Sequence, residues 1–249
     1  MCAGAFGSPR RVTRSVGASL YTIAQKLTVE FVGTFAFVLI GAGSVCADEF
    51  LRAAGQPSIG PLGIALAHGL TYAIMASVLG HISGGHFNPA VTLGYWATKR
   101  QGSFSSLAYV AVQVLGGIVA AYLLKWTLPE AIWRPVAMGT PDLAGDLMRG
   151  PGMWLEGTLT FLLVFVIFAT SVDPRGAFRT IAGFGAGLTI TVAMLLDAPF
   201  TGAALNPARV LGPALAAHHW TNHGVYWVAP MLGGLFAAFA YETILLKDA

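Results

Sequence analysis

Ser83-Gly84-Gly85-His86-Phe87-Asn88-Pro89-Ala90-Val91-Thr92-Leu93-Gly94 is matched, 118 residues further on, by Thr201-Gly202-Ala203-Ala204-Leu205-Asn206-Pro207-Ala208-Arg209-Val210-Leu211-Gly212. Both stretches contain Asn-Pro-Ala. Proline suits the first position of a helix and asparagine the cap before it, so a helix is predicted to open at Pro89 and again at Pro207. The moderately apolar segments that follow, 88–98 and 206–217, are too short to cross a bilayer, which takes about 20 residues. The same offset of 118 pairs Gly69-Leu70-Thr71 with Gly187-Leu188-Thr189, and an offset of 117 pairs Leu115-Gly116-Gly117 with Leu232-Gly233-Gly234. Glu30-Phe31-Val32-Gly33-Thr34-Phe35 is echoed by Glu156-Gly157-Thr158-Leu159-Thr160-Phe161. The chain is an internal repeat.

The solvent of this repeat is predicted to be lipid. Of 249 residues 55% are hydrophobic and only 10% charged, with a mean hydropathy of +0.69; a soluble domain carries about 25% charged residues. Six long apolar segments, roughly 27–47, 61–79, 104–126, 153–172, 181–196 and 225–246, read as membrane spans. Their periodicity is poor, as for helices that are apolar nearly all round. Each half holds three spans, so the second half is inverted relative to the first. That pattern is typical of transport proteins whose site lies where the halves meet. The expected organisation is one transmembrane domain, 1–249, with repeats over about 27–126 and 153–246 and a basic tail over 1–26 that is not a cleaved leader.

Charge sets the orientation. With both termini cytoplasmic, Arg10, Arg11, Arg14, Lys26, Lys99, Arg100, Arg175, Arg179 and Lys247 lie inside and Arg52, Lys125, Arg134 and Arg149 outside. The net charge of +3 is too weak and scattered for nucleic acid. Cys2 and Cys46 are read as free thiols. The 127–152 connection, with four prolines and no periodicity, is predicted to be an extracellular loop joining the halves. Gly116, Gly117 and Gly183-Phe184-Gly185-Ala186-Gly187 fit tight helix crossings.

Two Asn-Pro-Ala motifs, each preceded by Ser/Thr-Gly and a short spacer, in an inverted repeat with six spans, resemble the aquaporin family (major intrinsic proteins). The stretches from His81 to Thr92 and Asn206-Pro207-Ala208-Arg209 carry the resemblance, which covers about 27–246. It implies an all-α membrane protein of the aquaporin fold: six transmembrane helices plus two re-entrant half-helices in an inverted repeat. It also implies a right-handed bundle, one pore per subunit and a homotetramer.

Irregular backbone survives at membrane depth only where it lines a cavity or is buried in protein. Segments 80–87 and 199–205 are expected to be such stretches, with carbonyls laddered along a lumen. Asn88 and Asn206 would offer amide hydrogens to a passing water while the half-helix N-termini repel cations; aquaporin-type pores are the established instance of this physics. The resemblance places the pore motifs at Asn88, Pro89, Ala90, Asn206, Pro207 and Ala208, and the aromatic/arginine filter at His68, Met194, Ala203 and Arg209. Arg209 replaces Val91 of the first copy, so the repeat itself singles it out, and a cation at membrane depth points to function. Strict water channels have Phe at the His68 position and His at the Met194 position. Histidine on the second span resembles the plant tonoplast and ammonia-permeable branches. Glycerol facilitators usually carry Asp after the second motif; here stands Val210, while Tyr226-Trp227 resembles the water-selective branch.

The function expected is passive conduction of water, with ammonia a second permeant and protons and ions excluded. The alternatives are a glycerol or small-polyol facilitator and a non-conducting structural or adhesive membrane protein. No nucleophile–base pair suggests an enzyme, and no cofactor or metal is expected. Partners are water, small neutral solutes and the bilayer. His218, His219 and His223 have no adjacent carboxylate or thiol in sequence and read as a polar mouth rather than a metal site. Glu30 and Glu156, at equivalent places, are expected to support the re-entrant loops by accepting hydrogen bonds. His86 is expected to line the cytoplasmic vestibule.

Overall fold

A computed structural model describes residues 20–176 and 181–247. Cys2, Arg10, Arg11, Arg14, Arg179 and most of the expected tail lie outside the described residues.

With no water in the bilayer to satisfy them, backbone polar groups must pair within each segment, and the described residues form helices joined by turns. They run α1 (Ile23–Ala53), α2 (Gly60–Ser83), α3 (Pro89–Ala97), α4 (Ser103–Thr127), α5 (Glu130–Trp133), α6 (Arg149–Ile167), α7 (Ala182–Asp197), α8 (Pro207–Ala217) and α9 (Val225–Ala240). Wider π turns extend α6 over Phe168–Val172 and α9 over Tyr241–Leu245. Five of the spans are long and apolar enough to cross a membrane, and α7 covers 16 residues. A capping box starts α1: Thr22 Oγ1 accepts the Gln25 N–H at 3.3 Å while Gln25 Oε1 accepts the Thr22 N–H at 2.8 Å. Large apolar residues such as Leu62, Val192 and Phe236 remain exposed on the outer faces, and Phe104, Trp126 and Trp154 sit exposed near span ends, where amphipathic rings suit the lipid–water boundary.

The packing is crosswise. α1 packs on α2 and α4, α2 on α7, and α6 on α9, while half-helix α3 leans on α9 and half-helix α8 on α4. Each half-helix is thus held by the last span of the other half. Glycine makes this possible at two matched places. A Cβ on Gly117 would stand 2.5 Å from the Ala208 carbonyl oxygen, and one on Gly234 would stand 2.8 Å from that of Ala90. Either contact is too short for real atoms, so a side chain there would push the half-helix out.

One expectation needs correction. Segment 80–87 is not irregular throughout: α2 continues to Ser83 and stops at Gly84, whose φ of 99° and N–H to the Gly80 carbonyl at 2.8 Å form a left-handed cap. At membrane depth an extra turn of helix satisfies backbone groups that a loop would leave open. The 127–152 connection holds short elements of its own. It contains α5 and a single 3₁₀ turn, Ala137–Gly139, with Ala137 and Met138 at positive φ, and that turn dips onto α1 and α8.

Candidate functional site

The N-termini of α3 and α8 face each other, and their capping asparagines tie the two halves together. Asn88 Oδ1 accepts the Ala90 N–H at 2.8 Å, capping α3. Its Nδ2 crosses to donate to the Leu205 carbonyl at 2.8 Å. Asn206 repeats the pattern in reverse: Oδ1 accepts Ala208 N–H at 3.0 Å and Arg209 N–H at 3.3 Å, and Nδ2 donates to the Phe87 carbonyl at 2.8 Å. Each carboxamide nitrogen carries two hydrogens, so each has one left.

The loops leading into these caps turn at positive φ, at Phe87 (46°) and Leu205 (52°), and each is held by a buried glutamate. Glu30 Oε1 accepts Ser83 Oγ–H at 2.6 Å and His86 N–H at 3.0 Å; Oε2 accepts Phe87 N–H at 2.7 Å and Gln113 Nε2–H at 2.8 Å. Glu156 Oε1 accepts Ala204 N–H at 2.7 Å and lies 2.8 Å from Thr201 Oγ1; Oε2 accepts Leu205 N–H at 2.8 Å. A buried carboxylate is costly unless its oxygens are filled, and here loop N–H groups without helix partners fill them. Tyr109 and Tyr226, which stand 117 residues apart, also match: their hydroxyls donate to the carbonyls of Ser83 (2.8 Å) and Thr201 (2.7 Å). Among the described residues no donor reaches the carbonyls of Gly84, Gly202, Ala203 or Ala204, leaving them free as acceptors.

His68, Met194, Ala203 and Arg209 are all buried, on α2, α7, the second re-entrant loop and α8. Arg209 Nη1 donates to the Gly139 carbonyl at 2.7 Å, and Nη2 lies 3.2 Å from His68 Nε2. His68 Nδ1 lies 2.9 Å from the Ile64 carbonyl, which can only accept. That fixes the tautomer: the hydrogen is on Nδ1, and Nε2 accepts from the guanidinium. Arg209 Nε has no protein partner among the described residues, so it remains a donor. The ring of His68 occupies the space where a Cβ on Gly41 would stand. The guanidinium is therefore pinned between α2 and the 3₁₀ turn of the 127–152 connection.

Sequence reasoning missed several of these groups. Gly139 carries no signal, since it acts through its carbonyl. Gln113 is visible as a lone amide in an apolar span, and Tyr109 and Tyr226 as a match at the repeat's offset. The histidine group does have a carboxylate beside it in space. Asp142, brought from the 127–152 connection, lies 2.7 Å from His219 Nε2 and accepts Asn222 Nδ2–H at 3.0 Å. His223 instead accepts Trp227 Nε1–H at 3.0 Å. His86 borders a cavity on the same side as Lys26, Ser83 and Arg100, not the one that Tyr72 and His81 share. It is buried against Tyr95 and Tyr109 with Nδ1 3.1 Å from Thr92 Oγ1. The vestibule on that side, about 480 Å³, is lined by Tyr72, Ser77, His81, Gly84 and Gly85 among others. At the opposite end of the molecule Lys125 Nζ donates to the Ala216 carbonyl at 2.5 Å, a cation at the C-terminal end of α8 where the helix dipole favours one.

Sequence comparison agrees with this geometry. The family model for Major intrinsic protein matches residues 18–241. Aquaporin TIP4-4 of Zea mays is 43% identical over 231 residues, covering 90% of this chain and 88% of that relative. Probable aquaporin TIP3-2 of Arabidopsis thaliana is 38% identical, covering 88% and 83%, and Aquaporin-4 of Bos taurus is 34% identical, covering 93% and 71%. Among solved structures, the X-ray structure of the aquaglyceroporin from Plasmodium falciparum superposes with a TM-score of 0.78 at 21% identity, covering 91% of this chain and 98% of that one. At that identity the likeness speaks for the fold alone. With the family model spanning most of the chain, and with relatives well above a third identical along nearly its whole length, this multi-pass membrane protein belongs to the major intrinsic protein family, the aquaporins.

Proposed function

We propose that the chain is a passive water channel whose working point is the junction of α3 and α8. The observation that carries this reading is the reciprocal bonding of Asn88 to the Leu205 carbonyl and Asn206 to the Phe87 carbonyl. It sets two helix N-termini, each with roughly half a positive charge, on either side of one point and leaves one amide hydrogen on each asparagine. A water oxygen held by both points its hydrogens outward, towards the free carbonyls of each re-entrant loop, so a continuous proton wire is broken there. In this reading Pro89, Ala90, Pro207 and Ala208 open the half-helices, and Glu30 and Glu156 keep the loops in place.

Arg209, His68, Met194 and Ala203 form the filter. Arg209 supplies the fixed positive charge and a free Nε–H donor. The acceptor of His68 is spent on Arg209, so the opposite walls are a small methyl at Ala203 and the pliable thioether of Met194. Those walls give ammonia a route as a second neutral permeant, in line with the likeness to the tonoplast-type relatives. The subunit works within a homotetramer, with both termini in the cytoplasm.

Proteoliposomes in a sucrose gradient test the reading. They are expected to shrink much faster than empty liposomes, to exclude glycerol and to pass ammonia, with His68→Phe slowing ammonia more than water. Rapid glycerol entry would instead favour the polyol facilitator, and no flux of any solute the structural protein.

A further inference from the structure

Beneath the second re-entrant loop lies a group of polar atoms that the first loop lacks. Asp197, the last residue of α7, is fully buried at 0% exposure. Its Oδ2 lies 2.6 Å from Thr201 Oγ1, and Thr201 Oγ1 in turn lies 2.8 Å from Glu156 Oε1. Thr201 Oγ1 also accepts the Ala203 N–H at 3.1 Å. In the first half, the position 118 residues before Asp197 is Leu79, and Ser83, the match of Thr201, meets the single carboxylate of Glu30.

A threonine hydroxyl has one hydrogen and cannot donate to two carboxylates at once. Were both ionised, one of the two short O···O contacts would oppose lone pairs, in a pocket where a buried charge is already costly. A proton on one carboxyl removes the conflict. Glu156 accepts a backbone N–H on each oxygen, the environment of an anion. Asp197 Oδ1 has no partner among the described residues, which suits the carbonyl of a neutral acid and not a carboxylate. The other polar or charged groups packed around this point are committed elsewhere. Tyr226 Oη–H donates to the Thr201 carbonyl, Arg209 binds Gly139 and His68, and Asp142 binds His219 and Asn222.

We propose that Asp197 is a carboxylic acid that donates to Thr201 Oγ1, so that Thr201 donates to Glu156, and that this Asp197–Thr201–Glu156 relay positions the loop carrying Ala203 into the filter beside Arg209. Asp197 touches no permeant; it is a positioning residue. Two variants of the full-length protein separate a proton-donating role from simple packing. Asp197→Leu, the residue of the first half, removes the donor and is expected to lower water permeability by roughly three- to tenfold, the shift that one lost hydrogen bond makes in a loop equilibrium. Asp197→Asn keeps a donor in the same place and is expected to restore permeability to within about twofold of the parent, well under the effect of one hydrogen bond. The permeability arm rests on the water-channel reading, and an infrared arm does not. The parent in nanodiscs at neutral pH is expected to show a water-shielded carboxylic acid carbonyl band that is missing from Asp197→Asn. Loss of a carboxylate band instead, or an Asp197→Asn protein that folds yet conducts no better than Asp197→Leu, would overturn the proposal.

Discussion

In the first half a serine, two loop N–H groups and the amide of Gln113 fill the oxygens of Glu30; in the second, a threonine and two loop N–H groups fill those of Glu156, and Pro230 stands where the offset of 117 would place a second Gln113. The asparagine caps, the glutamates, the loop tyrosines and the close glycines match across the repeat. The differences gather in the second half: Arg209 for Val91, Asp197 for Leu79, and a guanidinium held by the 127–152 connection, which has no counterpart in the first half. What matches holds the midplane together, where both halves contribute equally. What differs lies on the side where Met194, Ala203 and Arg209 of the second half meet His68 of the first.

The largest expected effect breaks the matched part. Glu30→Leu orphans two loop N–H groups, Ser83 and Gln113, at about 1–3 kcal/mol for each buried group. That is a large share of a marginal stability, so the folded, monodisperse fraction in detergent should collapse. Glu156→Leu should cost less, since it orphans one donor fewer. Arg209→Val makes the second half copy the first at its most unequal position. Water flux should persist while cation leak, read as current across planar bilayers, rises at least about tenfold, as for a barrier lowered by about 1.4 kcal/mol. Leak unchanged in that variant would move cation exclusion from the filter to the half-helix termini. Asn88→Ala and Asn206→Ala should each lower the melting temperature by similar amounts, about 1 kcal/mol for the lost cap plus the lost cross-link. Clearly unequal losses would show that the brace is not reciprocal.

Smaller effects belong to clamps outside the repeat. His219→Ala removes a pair about 30% exposed on both sides and should cost under about 1 kcal/mol. At the opposite end, the Arg175 guanidinium, with help from its backbone N–H and the Tyr241 hydroxyl, holds the Asp173 carboxyl well below the usual carboxylate range. A lowered value stabilises the fold above the ordinary carboxylate pKa of about 3.9 and loses that contribution as pH falls further. Asp173→Asn should therefore melt earlier than the parent at pH 7, and the gap should narrow below about pH 4.

Much of this was legible in the sequence because lipid imposes few solutions. Spans announce themselves by length, and Asn-Pro-Ala by its capping chemistry. Arg209 stood out against Val91 because a repeat carries its own control. The end of α2 lies beyond the apolar run 61–79, because in lipid the helix continues until Gly84 can turn left-handed. Gly139 and Asp142 were invisible for another reason. They act at a distance in sequence, one through a carbonyl every residue has and the other through a fold-back that no periodicity encodes. Asp197 falls just past the apolar run 181–196 and carries no signal of its own; its part emerges from three oxygens that meet in space.

The central claim is that water crosses in single file between Asn88 and Asn206. The most direct test is the temperature dependence of osmotic shrinkage of proteoliposomes, followed by stopped-flow light scattering. Fast shrinkage with a low activation energy, close to that of water diffusing in bulk, is the predicted result. Shrinkage with the rate and steep temperature dependence of empty liposomes would contradict it.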